Sequence, residues 1–172
     1  VCRLFPGTKF AIGPAIDEGF YYDFDFENPI SDDELGKIES EMQKIIKENL
    51  SIEISTMGEE DAINFMRERN QPYKIELIEK HKNDGALIFR KQGEFVDLCG
   101  GTHMMSTGCI KSFKLIGCAG AYWKGDSKNK MLTRIYGISF PKKSMLEEYL
   151  QILEDRKSRD HRKICKDLKL FM

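Results

Sequence analysis

The sequence predicts an α+β domain: a mostly antiparallel sheet with helices packed on it, followed by a long C-terminal helix. Three observations carry this. Short runs rich in β-branched and aromatic residues occupy residues 10–26 and 51–56, and from Ala86 to Phe140 the apolar period is two. Helical spacing instead governs residues 32–48, 59–69 and 74–81. Strands and helices therefore come in blocks rather than strict alternation, which favours antiparallel pairing with helices on one side of the sheet.

Taken in order, Phe10–Phe26 is broken by Gly13-Pro14 and Glu18-Gly19 and reads as two strands around a turn. Ser31-Asp32-Asp33-Glu34 has the capping-box pattern, Ser at the N-cap and Glu three later. Leu35, Ile38, Met42, Ile45 and Ile46 then line one helical face up to about Glu48. Ser51–Thr56 alternates Ile52 and Ile54 with polar neighbours, a short strand. Glu59–Arg69 places Ala62, Phe65 and Met66 on one side of a second helix, and a third covers Lys74–His81. Ala86–Arg90 and Glu94–Leu98 flank Lys91-Gln92-Gly93, a hairpin with a Gly-containing turn. Further strands are predicted at Ser112–Ile116, Ala121–Lys124 and Met131–Phe140, with Gly125-Asp126-Ser127 as a loop.

After Pro141 a long helix carries Leu146, Tyr149, Leu150 and Leu153 on one face. Its second half, Arg156–Lys169, is dense in charge and reads as a linker toward a further domain. Residues 1–141 are accordingly read as one domain and 142–172 as the linker helix. The opening Val-Cys-Arg-Leu-Phe reads like the tail of an amphipathic helix, so a piece of a longer protein is expected.

The chain has 172 residues, 41% hydrophobic and 10% aromatic, enough to bury a core. Charged residues make up 32%, as expected of a well-hydrated cytoplasmic protein. No apolar run approaches the ~20 residues that a membrane-spanning helix needs, and no basic segment followed by an apolar one marks a secretion signal. Five cysteines with no C-x-x-C pair read as reduced thiols. The net charge of −1 hides an uneven distribution: residues 17–61 hold 15 Asp and Glu against three lysines, whereas residues 111–143 hold eight Lys and Arg against Asp126 alone. That basic stripe, with Tyr122, Trp123 and Tyr136 in it, suits a phosphate backbone with stacked bases; it equally suits solvated strand faces and loops.

The strongest local constellation follows the strand Glu94–Leu98. Cys99 stands at its end, Gly100-Gly101 lets backbone approach a ligand closely, and His103 comes four residues after the thiol. A Cys and a His so spaced can share a metal, or the His can activate the thiol; the same pattern also describes a buried thiol beside an incidental surface imidazole. Zinc takes about four ligands, or three plus water, and the remaining histidines, His81 and His161, lie in charged segments. A complete metal site is not expected, which leaves Cys99 and His103 as the pair that a metal would share. No G-x-S-x-G, G-x-x-x-x-G-K-[ST] or G-x-G-x-x-G occurs. Lys74, after the turn Asn70-Gln71-Pro72-Tyr73, is a second candidate: a lysine beside a reacting ester stabilises developing negative charge or, if desolvated, takes a proton, although most lysines are simply solvated.

Residues 11–23, Ala-Ile-Gly-Pro-Ala-Ile-Asp-Glu-Gly-Phe-Tyr-Tyr-Asp, resemble the opening of the editing domain of bacterial-type threonyl-tRNA synthetases. Phe95-Val96-Asp97-Leu98-Cys99-Gly100-Gly101-Thr102-His103 resembles the site segment shared by that domain and the editing domain of alanyl-tRNA synthetases. Residues 119–137, from Ala-Gly-Ala-Tyr-Trp-Lys-Gly-Asp-Ser to Arg134-Ile-Tyr-Gly137, and Arg159-Asp160-His161-Arg162-Lys163-Ile164 are similar to the threonyl branch specifically.

The resemblance implies a hydrolase that removes serine wrongly esterified to threonine tRNA. Lys74 and Asp97 would line its site together with Cys99 and His103. Lys74 would assist the water or the oxyanion, Cys99 and His103 would orient the terminal adenosine and the ester, and Asp97 would hold the aminoacyl amine or a partner side chain. Gly100, Gly101 and Tyr22 would contribute to substrate binding, and Lys124, Lys128, Lys130 and Arg134 to tRNA. In the family an H-x-x-x-H pair completes the site; it would precede Val1, so this chain is expected to hold only part of that site. No cofactor is expected here: ATP, Mg and zinc would belong to the catalytic domain of the parent synthetase, an expected homodimer without membrane contact. Other readings of the same residues are a tRNA-binding, interdomain module without turnover, an alanyl-tRNA editing relative, and a thiol or metal site at Cys99 and His103.

Overall fold

A computed structural model describes residues 1–28, 30–80 and 87–158. His81, Ala86, His161, Cys165 and the charged segment from residue 159 onward lie outside the described residues. By compactness the chain divides into two units, Val1–Cys109 with Leu115–Ile138, and Ile110–Lys114 with Ser139–Met172.

The described strands form two sheets, most of whose residues belong to the first unit. One is five-stranded and is built from β1 (Lys9–Phe10), β2 (Ala15–Ile16), β3 (Gly19–Asp25), β7 (Ser112–Tyr122) and β8 (Met131–Phe140), in the order β1-β3-β8-β7 with β2 also on β3. The other is three-stranded, β4 (Ile52–Met57), β5 (Leu87–Gln92) and β6 (Phe95–Leu98), in that order. The pairings of β3 with β1, β2 and β8, and of β5 with β4 and β6, are all antiparallel. Helices α1 (Asp32–Glu48), α2 (Glu59–Glu68) and α3 (Pro72–Lys80) complete the unit. The α+β class and its antiparallel character are as the sequence predicts; the division of the strands into two sheets has no local signature.

Each sheet receives its own helices. The N-terminus of α1 is set where the capping pattern predicts: the Glu34 carboxylate accepts a hydrogen bond from the Ser31 backbone N–H at 3.0 Å. Its apolar stripe buries Leu35 and Ile38 against Leu115 and Ile135, with Phe20, Phe24 and Phe26 packed around them. On the three-stranded sheet, Ala62 and Met66 of α2 and Ile78 of α3 close over Leu87 and Phe89. Phe89, Met66 and Ile78 are completely or almost completely buried, and each such side chain contributes ~1.5–3 kcal/mol relative to exposure.

A third cluster joins α3 to the five-stranded sheet. Ala11, Trp123 and Leu132 are buried there, with Tyr73 and Leu77 against them. Gln71 opens α3 with its backbone carbonyl, which accepts from the Lys74 and Ile75 N–H groups at 3.2 Å, while its side chain reaches across to β1: its Oε1 accepts from the Phe10 N–H at 2.8 Å and its Nε2 donates to Thr8 O at 3.2 Å. The amide side chain thus imitates a strand neighbour and docks the first turn of α3, where Lys74 sits.

The parity of β3 separates two jobs. Phe20, Tyr22 and Phe24 share one face, whereas Tyr21, Asp23 and Asp25 share the other. Asp23, 2% exposed, is met by Arg134 in a two-pronged pair at 2.7 and 2.8 Å, and that guanidinium lies 3.8 Å from the centre of the Tyr21 ring.

Several stretches differ from expectation, among them Phe10–Phe26, where three strands stand in place of two. Residues 112–122 form one continuous strand rather than two, because pairing with β8 supplies what the weak strand formers Gly117, Ala119 and Gly120 lack locally. Trp123–Gly125 is a short 3-10 turn with Lys124 at φ 57°, closed by Trp123 N–H on Lys130 O at 3.0 Å. The opening residues form a single turn, with the N–H groups of Leu4 and Phe5 both bonded to Val1 O.

In the second unit, α4 (Lys143–Ser158) keeps Leu146 buried and Tyr149, Leu150 and Leu153 half-buried, the face that the sequence predicts. Ser112 Oγ donates to Phe140 O at 2.7 Å, and the Phe140 and Tyr149 rings meet at 5.3 Å.

Candidate functional site

A cavity of about 380 Å³ opens within the first unit, where β3, α3 and the β5–β6 hairpin converge. Five of the predicted site residues line it: Tyr22, Lys74, Asp97, Cys99 and His103. Each reaches it for a local reason. Tyr22 is the inward residue of β3 midway between Phe20 and Phe24, and its ring stacks on Phe24 at 4.8 Å. Gly13 crosses directly over that ring; a Cβ there would fall 2.0 Å from Tyr22 Cδ2, so only glycine lets the chain pass. Lys74 points inward from the first turn of α3, held there by Gln71. Asp97 is carried by β6, opposite Arg90 of β5.

The three polar groups form a closed set. Lys74 Nζ lies 2.6 Å from Asp97 Oδ1 and donates to the Tyr22 hydroxyl at 3.0 Å. Tyr22 in turn donates to Asp97 Oδ2 at 2.6 Å. Lys74 is only 3% exposed, and a lone ammonium at that depth would be costly. The Asp97 carboxylate compensates it, and the phenol shares the load. Burial, then the charge of Asp97 and its hydrogen bond, push the Tyr22 phenol far above its ordinary pKa. Tyr22 is therefore a neutral donor at this site. An ammonium has three donors; the Tyr22 hydroxyl takes one, Asp97 Oδ1 stands in ion-pair contact without an aligned hydrogen bond, and a further N–H is open to a ligand in the cavity.

Cys99 continues the line of β6, its N–H bonded to Ile88 O at 3.0 Å. After it the chain turns through Gly100 and Gly101, and neither would meet backbone if a Cβ were added. The Gly101 carbonyl accepts from Arg90 Nη2 at 2.8 Å and lies 2.9 Å from His103 Nδ1. A carbonyl only accepts, so this contact is a hydrogen bond when Nδ1 carries the hydrogen; in that neutral tautomer the lone pair is on Nε2.

The four basic residues expected to meet tRNA are disposed differently. Arg134 is committed to Asp23, Lys130 lies 2.7 Å from Asp25, and Lys124 pairs with Glu76, whose other oxygen accepts from Trp123 Nε1. These pairs hold the Glu76 carboxyl below its usual pKa range, the Lys124 contact contributing most. Lys128 is exposed, its backbone N–H on Asp126. Among the described residues no group of three or more His, Cys, Asp or Glu side chains is arranged to hold a metal ion.

Arg90, Gln92, Ile52 and Leu77 also line the cavity and had drawn no notice in the sequence. The one signal for Arg90 is hairpin register. Gln92 pairs with Phe95 around Gly93-Glu94, with Gly93 at φ +60°, and that two-residue turn places Arg90 opposite Asp97.

A family model described as the Threonyl and Alanyl tRNA synthetase second additional domain matches residues 89–136. The chain is 60% identical over 171 residues to the threonine–tRNA ligase of Caldanaerobacter subterraneus subsp. tengcongensis, covering 99% of this chain and 27% of that protein. It is 57% identical, with the same coverage, to the threonine–tRNA ligases of Carboxydothermus hydrogenoformans and Acetivibrio thermocellus. The chain thus spans about a quarter of the length of these curated relatives. On this likeness the chain belongs to the threonyl-tRNA synthetase family, over the portion that carries the second additional domain.

Proposed function

We propose that this cavity hydrolyses the ester of seryl-tRNA(Thr), the product of a threonyl-tRNA synthetase that has accepted the wrong amino acid. The observation that carries the reading is the buried Lys74 ammonium, held by Asp97 and Tyr22 at the wall of a cavity that also holds Cys99 and His103. An ester under attack by water develops negative charge on its carbonyl oxygen, and a fixed cation in a dry wall stabilises that charge without reorganising. The open N–H of Lys74 is the donor for it. Ile52, Leu77, Phe95 and Leu98 keep the surroundings apolar. Water adds to the carbonyl carbon, the bond to the ribose oxygen breaks, and that oxygen leaves as a hydroxyl with the proton that water gives up. His103 Nε2 is the acceptor that holds the water. Asp97 faces the aminoacyl amine, and Cys99 and the Gly100-Gly101 backbone flank the terminal adenosine.

Such a site answers a physical need. Serine lacks one methyl of threonine, and that difference is worth only ~1–3 kcal/mol in a binding pocket. A second site that destroys the wrong ester raises fidelity beyond what binding supplies. In this reading residues 1–141 carry the hydrolytic part and 142–172 lead toward the aminoacylating portion. That portion would hold ATP, Mg and zinc in a homodimeric cytoplasmic synthetase.

The test is deacylation of seryl-tRNA(Thr) by the chain and by a full-length synthetase containing it. Lys74→Ala and His103→Ala are each expected to slow the reaction at least tenfold. If both leave the full-length rate unchanged, the reading is wrong. Salt-dependent tRNA binding without turnover would favour the non-catalytic module instead.

A further inference from the structure

We propose that Arg90 is a positioning residue for His103, acting through the carbonyl oxygen of Gly101. The importance of His103 rests on the hydrolytic reading above; the geometry does not. Gly101 O receives two donors, Arg90 Nη2 at 2.8 Å and His103 Nδ1 at 2.9 Å. A carbonyl has two lone pairs, so both are occupied, and the direction of one bond constrains the other.

The loop that presents this carbonyl has little else to fix it. A Cβ at Gly100 would find nothing within 4 Å, and at Gly101 only the Cys99 Sγ at 3.8 Å. Side-chain packing does not hold these two peptides, and glycine is the residue most free to rotate. Arg90 stands on the opposite side of that balance. It is a strand residue in a hairpin of defined register, paired with Asp97 and directly after Phe89, which is completely buried. Its Nε is buried without an acceptor, so the bond to Gly101 O is the one that offsets the burial of this guanidinium. A rigid strand thus exports its order to a loose loop through one guanidinium.

The consequence is chemical. With Gly101 O pinned, the imidazole of His103 meets an acceptor at Nδ1, and the ring settles with hydrogen on Nδ1 and the lone pair on Nε2. Without Arg90 the Gly101 peptide is free to turn, and the ring loses the bond that selects its tautomer. Arginine suits the task because it stays charged at any working pH and keeps a planar fork; lysine offers a single mobile donor.

The experiment is nitrogen-15 NMR of the imidazoles in the 172-residue chain, with the His103 signals assigned through His103→Gln. In the unaltered chain His103 is expected as the Nδ1–H tautomer; finding it as Nε2–H overturns the proposal with no variant needed. Arg90→Met is expected to shift His103 to the tautomer mixture of a solvated imidazole, and Arg90→Lys to restore part of the Nδ1–H population. An unchanged tautomer in Arg90→Met also overturns the proposal. Kinetics then separate this inference from the hydrolytic one. In a chain that deacylates seryl-tRNA(Thr), Arg90→Met is expected to lower kcat about tenfold with KM little changed, and to add nothing to His103→Gln. Full additivity in that double variant counts against a role through His103. If no deacylation is found at all, the function fails and the tautomer measurement still decides the role of Arg90.

Discussion

Tyr22 of β3 donates its phenolic hydrogen to Asp97 of β6 at 2.6 Å, a hydrogen bond that passes from the five-stranded sheet to the three-stranded one. Lys74 completes the contact from α3. The bond joins two separately built cores at the point where the cavity opens.

Tyr22→Phe removes that bond and one acceptor of Lys74 while keeping the ring that stacks on Phe24. A buried carboxylate that loses a donor costs ~1–3 kcal/mol. Urea unfolding is expected to show a loss in that range at pH 7. Seryl-tRNA(Thr) hydrolysis is expected to fall as well.

Asp97→Ala is the more severe change. It strands the Lys74 ammonium, 3% exposed, without its counter-charge. Breaking a buried pair from one side costs ~3–5 kcal/mol. The double variant Lys74→Met with Asp97→Leu is expected to recover much of that stability and none of the hydrolysis, which separates folding from chemistry in one comparison.

Gly13→Ala tests the cradle around Tyr22. The added methyl would overlap the ring at 2.0 Å, and overpacking of this kind costs ~1–3 kcal/mol. Either the chain at Gly13 or the Tyr22 ring must move. Deacylation is expected to drop more than stability does, read as kcat against the urea midpoint.

Arg134→Ala probes the basic stripe. Because Arg134 serves the buried Asp23 in two bonds, the variant is expected to lose ~3–5 kcal/mol of stability. Lys128→Ala, an exposed position, is expected to leave stability unchanged and to weaken any tRNA binding slightly at low salt. Thermal melts alongside filter binding at two salt concentrations distinguish the two.

Alkaline pH offers a further measurement. Tyr22 and Tyr73 both have phenols raised above the ordinary value, each by burial first and then by a neighbouring aspartate, Asp97 and Asp25 respectively. The unfolded chain ionises near pH ~10, the folded one later. Their contribution is therefore complete below that pH and is lost as pH rises toward the folded values. The urea midpoint is expected to decline above pH ~10, and less steeply in Tyr73→Phe. A midpoint that stayed level between pH 9 and 11 would contradict this.

What could be read ahead of the structure was what is local. The start of α1 follows from Ser31 and Glu34, and the buried face of α4 from the spacing of Leu146, Tyr149, Leu150 and Leu153. The hairpin at Gly93 follows from one glycine between alternating runs. The candidate site was legible as a list of residues, through Cys99, His103 and the likeness that drew in Lys74 and Asp97. Its assembly was not legible. No periodicity says that Gln71 will act as a surrogate strand for β1, or that a tyrosine in β3 will meet an aspartate in a different sheet. Arg90 escaped notice for the same reason: its meaning lies in cross-strand register and in a carbonyl eleven residues away. The ion pairs within the basic stripe were hidden in the same manner, since the acidic partners Asp23, Asp25 and Glu76 lie far along the chain from Arg134, Lys130 and Lys124.

Tyr22 and Asp97 are separated by 75 positions in sequence, and Tyr22 and Lys74 by 52. Contacts of such span close late, because the entropy of drawing distant segments together must be met before the contact gives anything back. Neither sheet contains the cavity alone. During synthesis, then, the chain must emerge through β8 and both cores must condense before the walls of this cavity are complete. Its appearance would serve as a clock for the end of folding, readable in stopped-flow as the moment a buried phenol disappears from solvent.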